Sequence, residues 1–175
     1  DGIAIANTIQ PLNSIGGVDI VNGEIGVVSS GFSNANHAFG RFQNIVAGDS
    51  SINSKVVFAD AARNGSSVDV WTNLNSLEWT AYINNSILPS AGLTDKQVQV
   101  VWFQHSHFQP GIFSPPNNQF PGHAQLLEGK LEQVARNLKI FYPNLKLIYV
   151  SSRERAYHSN PGAPSPSFYE YEEGF

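Results

Sequence analysis

The stretch IGVVSSGFSN, residues 25–34, decides the fold of this chain. It begins with an apolar run of the kind that forms a buried strand, and Ser30-Gly31 closes that run. From Asn34 to Val46 the apolar residues recur at helical spacing. Because a strand that passes directly into a helix is the first half of a βαβ unit, this stretch predicts a parallel sheet.

The same alternation of strand and helix continues along the chain. Near-continuously apolar strands are typical of a sheet that is covered on both faces. We therefore predict a single α/β domain over residues 1–175, a flavodoxin-like, three-layer, doubly wound parallel sheet. The further predicted strands are 55–59, 98–103 and 145–150, and the further predicted helices are 70–88 and 122–141, the second of which Pro143 stops.

The composition excludes several classes of protein. The formal net charge is -4 and the 10 Lys and Arg residues are scattered singly, so the chain offers no basic surface for nucleic acid. Without cysteine it cannot hold a disulfide or a zinc–thiolate centre. No apolar run approaches the ~20 residues that span a bilayer. We expect no cofactor, no nucleic-acid partner and no insertion into a membrane.

The chain also lacks methionine, so it does not begin at an initiator residue. A processed mature form or a fragment would both explain this. Its many Asn and Ser residues and few Lys residues lead us to expect a secreted protein, extracellular or periplasmic. Two glycosylation sequons occur, at Asn64 and Asn84, and such triplets also arise by chance in a chain rich in Asn.

Ser33 is the first candidate for chemistry, because it lies between the first strand and its helix. Ligands of open α/β sheets bind beyond the carboxyl ends of the strands. The N–H groups at a helix N-terminus would stabilise an oxyanion there. The alternative is that Ser33 or Asn34 simply caps the helix. The segments at this edge of the predicted sheet are 31–34, 60–67, 104–109 and 151–158.

Several segments together resemble one known group of proteins. They are residues 9–12, 22–25, 31–34, 98–102, 120–124, 142–147, 151–153 and 169–175. In combination, these segments resemble secreted bacterial proteins of the SGNH (GDSL-like) hydrolase type, which are mostly of unassigned function. The resemblance covers most of the chain and implies an SGNH-type fold with esterase activity. It makes O-acylated carbohydrate the expected substrate.

The resemblance also implies roles for individual residues. Ser33 would be the nucleophile, and Gly65 would offer an N–H group to the oxyanion. His107 stands about where the group has Asn, and an imidazole N–H can also donate a hydrogen bond there. Independently of the resemblance, Phe108, Trp71, Trp79 and Tyr157 are candidates for an aromatic platform for a sugar, with the alternative that they are core or loop anchors. The residues expected to contact the substrate, a small-molecule or glycan ester, are Asn34, Asn64, Gln104, His105 and Arg153.

The catalytic base is the main departure from the group. SGNH hydrolases take their histidine from an Asp-x-x-His block near the C-terminus, and no Asp follows Asp95 here. We expect either a fragment, completed by a further C-terminal segment or a second chain, or a protein that has lost catalysis. The second case would be a non-catalytic extracellular module that binds carbohydrate or another partner.

Two other histidine and serine patterns have separate interpretations. Gly48-Asp49-Ser50 spells the GDSL motif, but it follows a helix, so we interpret it as a helix-terminating turn rather than a nucleophile. His105 and His107 could begin a metal site, with Asp60, Asp69 or Glu154 as further ligands. The simpler alternative is that both are solvated loop histidines.

Overall fold

The computed structural model of the protein describes residues 2–108 and 113–152. Its centre is a sheet of four parallel strands in the order β2-β1-β3-β4. The strands are β1 (Ile25–Gly31), β2 (Val56–Ala59), β3 (Val98–Gln104) and β4 (Leu147–Val150). The helices are α1 (Gly2–Ala6), α2 (Ser33–Val46), α3 (Val68–Trp71), α4 (Leu88–Ser90) and α5 (Gly122–Phe141), with a π-helix (Glu78–Ile87) before α4 and a 3₁₀ helix (Asp95–Gln97) before β3.

The strand order confirms the predicted α/β class with a parallel sheet, and it is compatible with a flavodoxin-like fold. From β1 the chain moves outward to β2 and then returns to β3 on the other side of β1. The direction of winding therefore changes between β1 and β3. Such a switch point leaves a crevice at the carboxyl ends of the two strands, where open α/β sheets bind ligands.

The two faces of the sheet bury different side chains, because successive strand residues point to opposite sides. On one face, Val28, Val101 and Phe103 belong to a core that includes Trp71 and Leu138. On the other face, Trp102 stacks on Phe39 of α2 with ring centroids 5.9 Å apart. The β1–α2 turn is therefore fixed by packing on both sides of the sheet. None of the helices in the described ranges is long and apolar enough to cross a membrane.

The predicted helix over 70–88 is wrong as a single element. The chain leaves α3 at Trp71 and becomes helical again only at Glu78, as a π-helix. Between them Asn73 forms a turn, since its side chain accepts from the N–H of Asn75 at 3.0 Å and its carbonyl accepts from the N–H of Ser76 at 2.9 Å. Asn competes in this way with the helical hydrogen bonds of the backbone.

Candidate functional site

Ser33 is the first residue of α2 and follows the carboxyl end of the central strand β1. The N-cap position belongs to Phe32, whose backbone is extended and whose side chain is 3% exposed. Phe32 makes no side-chain cap hydrogen bond, and neither Ser33 nor Asn34 occupies the N-cap position that the alternative interpretation assigned to them. The Ser33 side chain is half-buried. The hydroxyl therefore lies at the N-terminus of α2, where the helix dipole and the free N–H groups favour negative charge.

Gly31 explains how the strand reaches this turn. It pairs with Gln104 of β3, and a Cβ at Gly31 would lie 2.3 Å from the Gln104 carbonyl oxygen and 2.4 Å from the Ala35 Cβ. Only glycine can occupy such a close approach. The carbonyl of Gly31 accepts a hydrogen bond of 3.0 Å from the N–H of Arg63. The ends of β1 and β3 and the loop after β2 therefore meet beside Ser33.

The loop after β2 contains a tight turn from Arg63 to Ser66. The Ser66 N–H donates to the Arg63 carbonyl at 3.2 Å, and Gly65 has a φ of 81°, a left-handed conformation that favours glycine. Asn64 and Gly65 are exposed. Because the N–H of Arg63, the first residue of this turn, is hydrogen-bonded to Gly31, the segment containing Gly65 lies at the same edge of the sheet as Ser33.

A half-buried carboxylate, Asp60, connects the end of β1, the first turn of α2 and the loop after β2. Its Oδ1 accepts from the Ser29 hydroxyl at 2.5 Å, and its Oδ2 accepts from Nδ2 of Asn36 at 3.0 Å. The Ser29 oxygen in turn accepts from the N–H of Ala62 at 2.9 Å. From the sequence, Asp60 belonged to the segment 60–67 at this edge and was a candidate metal ligand, but its contacts with Ser29 and Asn36 were not predicted. Its position directly after a strand was the available signal for a role at this edge.

Burial raises the pKa of Asp60 above the ordinary aspartate range, and the hydrogen bonds from Ser29, Ala62 and Asn36 offset this only in part. Between about 3.9 and the raised pKa, the folded protein binds more protons than the unfolded chain. Stability contributed by this group therefore falls as pH rises through that window. Urea unfolding of wild type and Asp60→Asn from pH 7 to pH 4 should show wild type gaining stability relative to the variant as pH falls.

Asp49→Asn is the matched control for this prediction. Asp49 is exposed, and hydrogen bonds from the hydroxyl and N–H of Ser51 lower its pKa. Its contribution is present above the ordinary pKa and is lost as pH falls, which is the opposite sign. The raised pKa would be contradicted if the difference in stability between wild type and Asp60→Asn did not change with pH. It would also be contradicted if that difference changed in the same direction as the difference for Asp49→Asn.

The polar residues that follow β3 are buried rather than exposed. Nε2 of Gln104 donates to the Ser152 carbonyl at 2.8 Å, and the His105 Nε2 lies 3.0 Å from the Ser30 hydroxyl. The His105 ring packs against Phe103, with centroids 4.8 Å apart. His107 is also fully buried. The alternative of two solvated loop histidines is therefore wrong, and Gln104 and His105 would have to become exposed to contact a substrate.

The remaining candidate site residues lie in different parts of the structure. Trp71 and Trp79 are fully buried, so they cannot form a sugar platform, whereas Phe108 is 48% exposed and lies edge-on to Phe32 with centroids 6.1 Å apart. The half-buried Asn34 follows Ser33 in the first turn of α2. Both sequon asparagines, Asn64 and Asn84, are exposed. Arg153, Glu154 and Tyr157 lie outside the described residues.

The alternative of a metal centre receives no support from the described residues. Within 2–108 and 113–152, no group of three or more His, Asp or Glu side chains is arranged to hold a metal ion. Asp69 instead forms an ion pair with Lys130, and Asp60 is bonded to Ser29 and Asn36.

An apolar groove of about 420 Å³ lies on the α2 face of the sheet, between Phe39 and Phe42 of the helix and Trp102 and Tyr149 of the strands. Neither Ser33 nor Gly65 lines it. The groove is therefore distinct from the site at the carboxyl ends of the strands.

The chain matches no protein-family model, no curated protein and no solved structure. The roles of Ser33 and the turn at Gly65 therefore depend on geometry and chemistry.

Proposed function

We propose that the protein is a secreted serine esterase with an SGNH-type fold. The observation that carries this proposal is the position of Ser33, the first residue of α2, at the switch point between β1 and β3. The turn that contains Gly65 lies at the same edge, because it is hydrogen-bonded to Gly31 at the end of β1. Ligands of open α/β sheets bind in this crevice. A hydroxyl at a helix N-terminus beside a second source of N–H donors is the arrangement that acyl transfer requires.

The proposed reaction has two steps. The Ser33 Oγ attacks the ester carbonyl carbon, and the negative charge that develops on the carbonyl oxygen is met by the N–H groups of Ser33 and Gly65. The tetrahedral intermediate collapses, the alcohol leaves, and an acyl-serine remains that water then hydrolyses. A general base takes the hydroxyl proton and returns it to the leaving oxygen. In the SGNH type that this chain resembles, a histidine fills this role, and we propose that a further C-terminal segment or a second chain supplies it.

An O-acylated carbohydrate is the proposed substrate. Phe108 supports this choice, since its half-exposed ring contacts Phe32, the residue before Ser33. The face of an aromatic ring can pack against the apolar side of a ligand whose edges carry polar groups. The exposed Asn64 beside Gly65 can form hydrogen bonds with the hydroxyl groups of such a ligand. His107 is fully buried, so it would also have to become exposed to serve as the third donor to the oxyanion.

Labelling with a fluorophosphonate tests the proposal. The reagent phosphonylates activated serines, so we expect mass spectrometry to locate the adduct on Ser33 in the wild-type protein. The adduct should be absent from Ser33→Ala and should persist in Ser50→Ala, which alters the GDSL-like sequence outside the site. Labelling that survives in Ser33→Ala, or wild-type protein that is not labelled, would contradict the nucleophile.

Glycan binding distinguishes the non-catalytic alternative. An O-acetylated oligosaccharide that binds equally to wild type and Ser33→Ala, with no acetate released by either, would favour a binding module. Release of acetate by wild type alone supports the esterase.

A further inference from the structure

One buried carboxylate binds both ends of the Arg63–Ser66 turn. Nη1 of Arg63 donates to Oε1 of Glu78 at 2.9 Å, and the Ser66 hydroxyl donates to the same oxygen at 2.9 Å. Glu78 is 8% exposed and is the first residue of the π-helix. A single oxygen that accepts from the first and last residues of a four-residue turn sets the separation of its two ends.

Two neighbouring rings hold the same turn. The Arg63 guanidinium lies over the ring of Tyr82, 4.7 Å from its centroid, and Tyr82 belongs to the same π-helix as Glu78. At the other end, Nε1 of the buried Trp71 donates to the Ser66 carbonyl at 3.1 Å. The turn is therefore attached at both ends to the part of the chain that follows it. π-Helical segments are rare and frequently occur at functional sites.

Between these attachments, the middle of the turn is open to solvent. Asn64 and Gly65 are exposed, and apart from its chain neighbours no described residue comes within 4 Å of the position that a Gly65 Cβ would occupy. The direction of the Gly65 N–H consequently depends on the residues that flank it. The charge of Glu78 matters as well, because hydrogen bonds to a carboxylate are stronger than those to a neutral acceptor.

We propose that Glu78 is a positioning residue, which holds the Arg63–Ser66 turn so that the Gly65 N–H faces the oxyanion of an ester bound at Ser33. This inference rests on the proposed function. It adds a residue that does not touch the substrate and that acts through the backbone of the turn.

Glu78→Ala and Glu78→Gln test the inference with full-length protein. We expect Glu78→Ala to lower both kcat for para-nitrophenyl acetate and the rate of fluorophosphonate labelling by roughly 10-fold or more, since losing a single oxyanion donor costs about 10²–10³ in kcat. KM should change little, because the interaction strengthens in the transition state. Glu78→Gln keeps an acceptor oxygen but loses the charge, so it should recover only part of the loss. It also covers the case in which the alanine variant does not fold.

Asn137→Ala is the matched control. Its Nδ2 donates to the carbonyls of Trp71 at 3.0 Å and Thr72 at 2.8 Å, so its loss destabilises the same region without removing a hydrogen bond of the turn itself. Well below its Tm, Asn137→Ala should keep the wild-type kcat. If Glu78→Ala also keeps it, or if both variants lose it equally, Glu78 acts only on stability and the inference is wrong.

Amide hydrogen exchange separates failure of this inference from failure of the proposed function. We expect the Gly65 and Ser66 amides to exchange at least several-fold faster in Glu78→Ala than in wild type or Asn137→Ala. Unchanged exchange overturns the inference whatever the activity. Wild-type protein that neither hydrolyses the ester nor reacts with the fluorophosphonate overturns the proposed function, while the exchange data still report whether Glu78 orders the turn.

Discussion

Ser33→Ala is expected to lower kcat for para-nitrophenyl acetate by at least ~10³-fold, because removing the nucleophile of a serine hydrolase leaves only the contributions of substrate binding and the oxyanion N–H donors. The side chain is half-buried at the first position of α2, which is not the N-cap position, so its removal should change stability little. A large loss of kcat with an unchanged Tm would identify the hydroxyl as a reacting group. Stopped-flow or plate-reader kinetics and thermal unfolding of the same samples provide both measurements.

Two comparisons make this result interpretable. Ser50→Ala should retain the wild-type kcat, since Ser50 lies in an exposed turn after α2. The Ser30 hydroxyl is bonded to His105, but both residues are buried, so this serine–histidine pair offers no accessible nucleophile. Activity of Ser33→Ala above about a tenth of the wild-type kcat would mean that another group reacts with the ester.

Gly31→Ala is expected to lower the free energy of unfolding by about 3 kcal/mol or more, at the upper end of the cost of overpacking. The added methyl group would meet the Gln104 carbonyl oxygen at 2.3 Å and the Ala35 Cβ at 2.4 Å. Neither neighbour can rotate away, because one is backbone of β3 and the other is the buried first turn of α2. Relief requires β1 and β3 to separate at the edge that presents Ser33, so activity should fall together with stability.

Gly129→Ala is the control for this effect. Gly129 lies within α5, and within 2–108 and 113–152 no atom beyond its own stretch of helix comes within 4 Å of the Cβ that alanine would add. Alanine should therefore stabilise the helix by roughly 0.5–1 kcal/mol. Urea unfolding measures both variants. A Gly31→Ala protein as stable as wild type would show that β1 and β3 do not approach as closely as the structure has them.

The sequence was most informative where burial follows a simple period. The helix predicted over 122–141 coincides with α5, and the strand predicted over 98–103 is one residue shorter than β3. In α5 the apolar residues recur at helical spacing, and in β3 a near-continuous apolar run indicates a strand that is buried on both faces. The helix predicted over 70–88 failed because the same apolar spacing continues through Asn73 and Ser76, whose local hydrogen bonds end α3.

At the candidate site, the sequence indicated the position of Ser33 but not the residues that hold the site together. Glu78 contacts Arg63 from 15 positions away, and Asp60 contacts Ser29 from 31 positions away. No local pattern encodes such contacts. The burial of His105 likewise results from packing against Phe103 and Trp71, which come from different elements.

The order of strands and helices, and the serine between the first strand and its helix, were determined by the sequence alone. They depend on local apolar spacing and on turn residues, which act over a few positions of the chain. Only the tertiary structure decided that β1 and β3 adjoin with a glycine at their closest approach, and that one buried glutamate holds the turn at Gly65. These features depend on distances between residues that are remote in sequence, and such distances are set when the sheet and helices pack together.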